Sequence, residues 1–378
     1  MKSNYDILGN YIRLIDTRNT ELVTEQVLGI NIDKFFMPSV ANVIGTDLSK
    51  YKLITKGKFA CNPMHVGRDE RLPVALYTEE TPAIVSPAYF MFEVVDSSVL
   101  NEEYLMMWFR RPEFDRLCCL RTDGSVRGGI TWDDICRMEV PVPPMDEQIE
   151  IVSSYKTITD RIALKKQIND NLEAQLSGFY HRFFDNPENG VSGLISDLGE
   201  VVGGATPSTD NPEYFCDDGI AWISPKDLTG TGLKFIYRGE QCITESAYNS
   251  CSTKLMPAGT VLFTSRAPVG TVAIAMNDIC TNQGFKSVIP KEEIGTAFVY
   301  YFLKENKQLI ESHASGTTFI EVSSNVLKSI PAVVPKPAVA SRFEAICMPL
   351  FDEQRQNELE IGRLQELRQT LISSISSL

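Results

Sequence analysis

The side chains best suited to chemistry in this 378-residue sequence are basic and amide groups, and they fall in two stretches. The first offers Lys50, Lys52, Lys58, Asn62, His65, Arg68 and Arg71. The second offers Lys226, Lys254, Ser265, Arg266, Asn282, Gln283 and Lys286. An arginine fork matches the O6 and N7 of guanine, an Asn or Gln amide matches the N6 and N7 of adenine, and a lysine ammonium meets phosphate as a point charge. These types suit reading a duplex better than making or breaking bonds. Taken singly, each is also an ordinary solvated surface residue. Arg68 and Arg266 stand out because each sits in the same kind of loop: a strand-like run enters a proline-containing turn that carries Val-Gly, at Lys58–Arg68 and at Thr260–Gly270.

Signatures of catalysis are missing. There is no phosphate-binding G-x-x-x-x-G-K, no G-x-S-x-G nucleophile elbow and no H-E-x-x-H zinc helix. Gly128-Gly129 and Gly203-Gly204 read as isolated turns. Asn62-Pro63-Met64-His65 and Asn211-Pro212-Glu213-Tyr214 approach the Asn-Pro-Pro-aromatic pattern that holds a flipped base for amine methylation. The first lacks the aromatic, the second lacks the second proline, and neither has a methyl-donor loop upstream; both read as plain loops. His65, His181 and His313 are too far apart in sequence to form a ligand pattern. Nine cysteines without C-x-x-C spacing read as reduced thiols, with neither a disulfide framework nor a zinc site. Trp132 and Trp222 read as core.

The elements that must position these residues are two long helices and two globular segments. Met145–Phe184 and Ala338–Leu378 each follow a proline-rich exit, Pro141-Val142-Pro143-Pro144 and Pro335-Lys336-Pro337. Apolar residues recur alternately at three and four: Ile158, Ile162, Leu172, Leu176 and Phe179 in one, Ile361, Leu364, Leu371 and Ile375 in the other. That period of about 3.5 is a coiled-coil seam. Each stripe is polar in its middle, at Lys165 and Asn169 and at Gln354 and Asn357, so an antiparallel pair would bring the polar middles together. Pro349 is expected to start or kink the second helix. The bland alternative is two unrelated amphipathic helices.

The globular segments, residues 1–144 and 189–337, read as diverged copies. Leu8-Gly9 and Leu198-Gly199 open them; Asp123-Gly124-Ser125 and Ser315-Gly316-Thr317 are matching loops. Residues 145–188 hold the first helix and its turn-rich linker, and 338–378 the second helix. Within the segments, Pro82–Val95, Thr260–Phe263 and Gly270–Ala275 read as strands, and Glu102–Cys118 and Glu292–Ser312 as helices. The class is α+β: two repeated globular domains separated by two long helices in an antiparallel coiled coil, with approximate two-fold symmetry.

Composition is that of a soluble globular protein, without an apolar run long enough to span a bilayer and without a secretory leader. The net charge of −13 counts against nucleic-acid binding, which draws on Lys and Arg. It instead favours an acidic protein-binding scaffold with two globular heads. A stand-alone methyltransferase or nuclease is a further alternative, and the missing donor loop speaks against it.

The layout resembles the specificity subunit of Type I restriction–modification systems. The resemblance covers essentially the whole chain and rests on the repeat and the proline exits. It rests also on Pro143-Pro144-Met145-Asp146-Glu147-Gln148, Leu198-Gly199-Glu200-Val201, Ile220–Leu228 and Ser265-Arg266-Ala267-Pro268-Val269-Gly270. Val339–Arg342 departs from it, lacking the Glu-Gln that follows the first prolines. The resemblance implies that each globular segment is a target recognition domain for one half of a split DNA sequence. It implies that the helices act as a ruler of roughly 60 Å and dock two adenine-N6 methyltransferase subunits, and that two restriction subunits can join. The chain itself would then be non-catalytic and free of cofactor, with S-adenosylmethionine, ATP and Mg on the partners. Its place would be the cytoplasm of a prokaryote.

Overall fold

The computed structural model describes residues 5–41, 44–64, 66–122, 128–230, 232–315 and 320–375, without the side chain of Arg68. Short helices begin where side chains can accept the first orphan N–H groups. Asn101 accepts from Glu103 and Tyr104, Thr131 from Asp134, Thr244 from Ala247 and Ser323 from Val326. The stretch Glu102–Cys118, expected as one helix, is two, Glu102–Phe109 and Pro112–Leu120. Pro112 has no N–H to continue the first helix and holds Arg111 extended. Likewise, Glu292–Ser312 contains helices Thr296–Glu305 and Lys307–Ser312. Gly295 at φ 83° turns the chain into the first of these, so the glutamates before it stay outside.

The chain divides into two compact units, residues 1–162 with 363–378, and residues 163–362. Both long helices therefore contribute to both units. Unit 1 has an antiparallel sheet in the order Ile12–Leu14, Phe90–Val94, Phe59–Cys61, Val74–Leu76. Unit 2 has Gly199–Gly203, Lys286–Pro290, Val261–Phe263, Val272–Ala275 in the same order, extended by Phe235–Ile236 in parallel. Each unit adds a second four-stranded sheet. In each, the strand before a long helix pairs antiparallel with a strand near the start of its segment: Glu139–Pro141 with Tyr5–Ile7, and Pro331–Pro335 with Gly190–Leu194. The internal repeat is thus one of topology as well as sequence. Of the matched loops, residues 123–127 and 316–319 lie outside the described residues.

The long helices span Met145–Phe184 and Pro337–Ser374. Pro349 does not start the second one, which runs through it. Val339 and Ala340 already donate to the Lys336 carbonyl, and Pro337 supplies the preset φ of a first turn. The Pro349 ring removes one backbone bond inside the helix, a loss on the order of 3 kcal/mol. Burial of Cys347, Phe351 and Gln354 on either side of it opposes that loss.

All nine apolar seam residues are buried or half-buried. In unit 1, Val152 and Tyr155 share a core with Leu371, Ile375, Trp108 and Phe109. In unit 2, Leu176 and Tyr180 share one with Phe343, Cys347 and Phe351. The pairing in unit 2 is antiparallel, and the polar middles meet as expected. Lys165 donates to Asn357 (2.8 Å), Asn357 donates to the Asn169 side chain (2.8 Å) and Asn169 donates to the Gln354 carbonyl (3.1 Å). A polar layer of this kind admits one register, because a slip leaves its donors buried without acceptors. Among the described residues, no helix is long and apolar enough to cross a membrane.

Candidate nucleic-acid interface

Unit 2 gathers four of its candidates in one place. Strand Val261–Phe263 enters a loop folded back on itself. Thr264 accepts the Thr271 N–H on its hydroxyl (2.8 Å) and donates that hydroxyl to the Pro268 carbonyl (2.7 Å). Ala267, next to Arg266, sits at φ 58°, where a β-carbon is disfavoured. The Ser265 N–H donates to the Gly284 carbonyl (2.8 Å), which ties this loop to residues 281–285. A β-carbon on Gly204 would lie 2.2 Å from the carbonyl oxygens of Thr281 and Asn282, so only glycine lets that strand approach. Trp222, in the core as expected, donates its indole N–H to Ala205 (3.1 Å) and fixes the next residue of the same strand end.

Arg266, Asn282, Gln283 and Lys286 thereby share a polar patch. Thr206 donates to the Gln283 side chain, and Lys286 donates to the Gln283 carbonyl (3.1 Å). Glu321 reaches both Arg266 (3.9 Å) and Lys286 (3.4 Å). Lys254 pairs with Glu200 (3.5 Å). Lys226, almost fully exposed, pairs with Glu240 (3.0 Å), whose hydrogen bond pushes the ammonium above its usual range and keeps it charged. Ser265 is a correction: its side chain is wholly buried, so it shapes the loop and is not on the surface.

Unit 1 scatters its candidates. Lys58 pairs with Glu93, which also holds Arg13 (2.6 Å). Lys50 pairs with Asp47 (3.5 Å), and its carbonyl accepts from Arg18 (2.7 Å). Arg71 pairs with Asp33 (2.7 Å) and faces a cleft lined by Arg110, Arg116 and Arg368. Asn62 is spent locally, accepting from the Met64 N–H (3.2 Å). His65 and the Arg68 side chain lie outside the described residues. Lys52 is a second correction. It is buried, donates to the Tyr89 carbonyl (2.7 Å) and lies 3.5 Å from Asp16, so its charge serves the fold.

One regularity covers both units. Each of the eight candidate cations described, four per unit, has a carboxylate within the 4.0 Å of an ion pair. Sequence reasoning missed Arg13 and Arg18 as well as the acidic partners Glu93 and Glu321. For Arg13 a signal existed: it alternates with buried Ile12 on a strand and so points outward.

A family model described as "Type I restriction modification DNA specificity domain" matches residues 187–368, the stretch that contains this patch. The chain carries a Type I restriction–modification DNA specificity domain. Over 174 residues the chain is 41% identical to the Type I restriction enzyme MjaIX specificity subunit of Methanocaldococcus jannaschii, covering 46% of this chain and 40% of that one. The EcoR124I/EcoR124II specificity subunit of Escherichia coli is 30% identical over 246 residues, 61% of this chain and 60% of that one. The matched stretches thus span about two-fifths to three-fifths of these relatives. The crystal structure of the S subunit of a Type I restriction–modification system from M. genitalium aligns with 99% of this chain and 96% of its own at a TM-score of 0.60. At 12% identity that likeness concerns the fold alone.

Proposed function

We propose that this chain is the non-catalytic DNA-specificity subunit of a Type I restriction–modification complex. Each globular segment reads one half of a bipartite target. The helix pair sets the distance between the halves and docks two adenine-N6 methyltransferase subunits through its outer faces. S-adenosylmethionine is carried by those partners. Two restriction subunits, with ATP and Mg, complete the cleaving assembly in the cytoplasm.

The observation that carries this reading is the unit 2 patch. Arg266, Asn282 and Gln283 are the residue types that read guanine and adenine edges, and Lys286 suits a phosphate beside them. They are held together by main-chain bonds between loops inside the stretch matched as a DNA specificity domain. The decisive experiment is methylome sequencing of a methylation-free host expressing this chain with its methyltransferase partner. A split motif with N6-methyladenine in each half is the expected result. An assembled complex that leaves no motif would remove the reading.

A second reading is favoured by one observation, the pairing of every described candidate cation with a carboxylate in a chain of net charge −13. Under it the chain is an acidic scaffold with two globular heads, and substitution of Arg266 changes no DNA preference.

A further inference from the structure

The carboxylate between Arg266 and Lys286 has a role that its distance to either cation does not by itself disclose. Glu321 is fixed by the backbone: its N–H donates to Ser315 (3.0 Å) and its carbonyl accepts from Ser315 (3.1 Å). The next residue, Val322, donates to the carbonyl of Ser265 (3.1 Å), the residue before Arg266. The carboxylate is therefore placed by the same main chain that carries the arginine. At 3.9 Å and 3.4 Å, with Glu321 and Arg266 each about one-third exposed, these pairs add little to folding. They are also open to exchange. The Lys286 side chain is mostly buried, whereas that of Arg266 is about one-third exposed.

We propose that Glu321 is a positioning residue for sequence reading by unit 2: it aims Arg266 and Lys286 and repels phosphates that arrive out of register. This rests on the DNA-specificity reading above. Two cations around one carboxylate leave a single net positive charge, enough to attract one acceptor. A phosphate brought close to the face meets the carboxylate as a like charge. The O6 and N7 of a guanine are uncharged acceptors and meet far less opposition. The arrangement therefore weakens random contact more than it weakens base contact, and specificity is that difference. Unit 1 sets Glu93 between Arg13 and Lys58 in the same manner.

The test uses the assembled complex with its methyltransferase subunits. Competition binding compares the cognate duplex, duplexes with single-base changes in either half-site, and random duplex, alongside thermal melting. For Glu321→Gln we expect discrimination at one half-site to fall about tenfold and random-duplex affinity to rise about threefold. Discrimination at the other half-site and the melting temperature should hold. Glu321→Asp, which keeps the charge on a shorter stem, should fall between the two and covers the case in which the Gln variant is unstable. Wild-type discrimination in Glu321→Gln overturns the proposal. So does an equal loss at both half-sites with a lowered melting temperature, because that marks a merely structural role. A wild-type complex without half-site discrimination overturns the DNA reading and this inference together.

Discussion

Arg266 bears most directly on function, because it is the arginine of the unit 2 patch that lies beside a left-handed Ala267. Arg266→Ala should cost about 1–3 kcal/mol of binding at one half-site and leave the other untouched, as measured by competition with half-site variants. Lys234 bears most directly on stability. It is buried, donates to Glu173 (2.8 Å), Tyr301 (3.0 Å) and Gln354 (2.9 Å), and lies 3.9 Å from the Phe351 ring centroid. Burial pushes its ammonium down to about 8 against the pull of Glu173. Burial alone would raise Glu173, but Lys234 and Lys304 draw it down to about 2. A carboxyl that titrates below its ordinary 4.5 stabilises the fold above that pH and loses the contribution as pH falls from 4.5 toward 2. A lysine depressed from 10.5 to about 8 adds stability as pH rises through that interval. Glu173→Gln should therefore flatten the acid limb and cost about 3–5 kcal/mol in urea unfolding, since it strands a buried cation. Adding Lys234→Met should recover most of the loss.

At the scale of elements, the repeat explains a departure that the second helix makes from the first. Gln148 accepts from the Asn101 N–H (2.9 Å) and donates to the Val99 and Pro143 carbonyls (2.9 and 2.8 Å), pinning the start of the Glu102–Phe109 helix. The second helix has no Gln at the matching turn. One turn later Glu344 accepts from the N–H groups of Thr296 and Ala297 (3.2 and 2.8 Å), at the start of Thr296–Glu305. The same job is done by a different residue, which a sequence match by position cannot find. Two helix predictions follow. Asn357→Leu removes partners of both Lys165 and Asn169 and should cost about 1–3 kcal/mol in denaturant unfolding. Pro349→Ala restores a backbone donor inside the helix and should raise the melting temperature.

For the whole molecule, net charge and paired cations point the same way. With −13 overall and a carboxylate on each described candidate cation, these candidate groups leave little free positive charge for counterion release. It should bind random duplex no tighter than about 10⁻⁴ M at physiological salt, as measured by fluorescence anisotropy. Tight, specific binding without partner subunits would contradict this and relocate the source of affinity to the chain itself.

The sequence by itself determined the long helices, their polar middles, the repeated segments and the α+β class. Each of these is periodic or local: a 3.5-residue stripe, a proline exit or a capping residue is written within a few turns of chain. Even there it overran at Pro112 and Gly295, where one residue's φ or missing N–H outweighs the apolar pattern. Tertiary structure alone decided which basic residues stand together. Lys52 looks like Lys286 in sequence and Ser265 adjoins Arg266, but Lys52 and Ser265 turned inward, where the Tyr89 carbonyl and the 264–270 loop offered burial. Glu321 and Glu93 carried no signal at all, because the pairing of two charges far apart in sequence depends on the sheet order that brings their loops together.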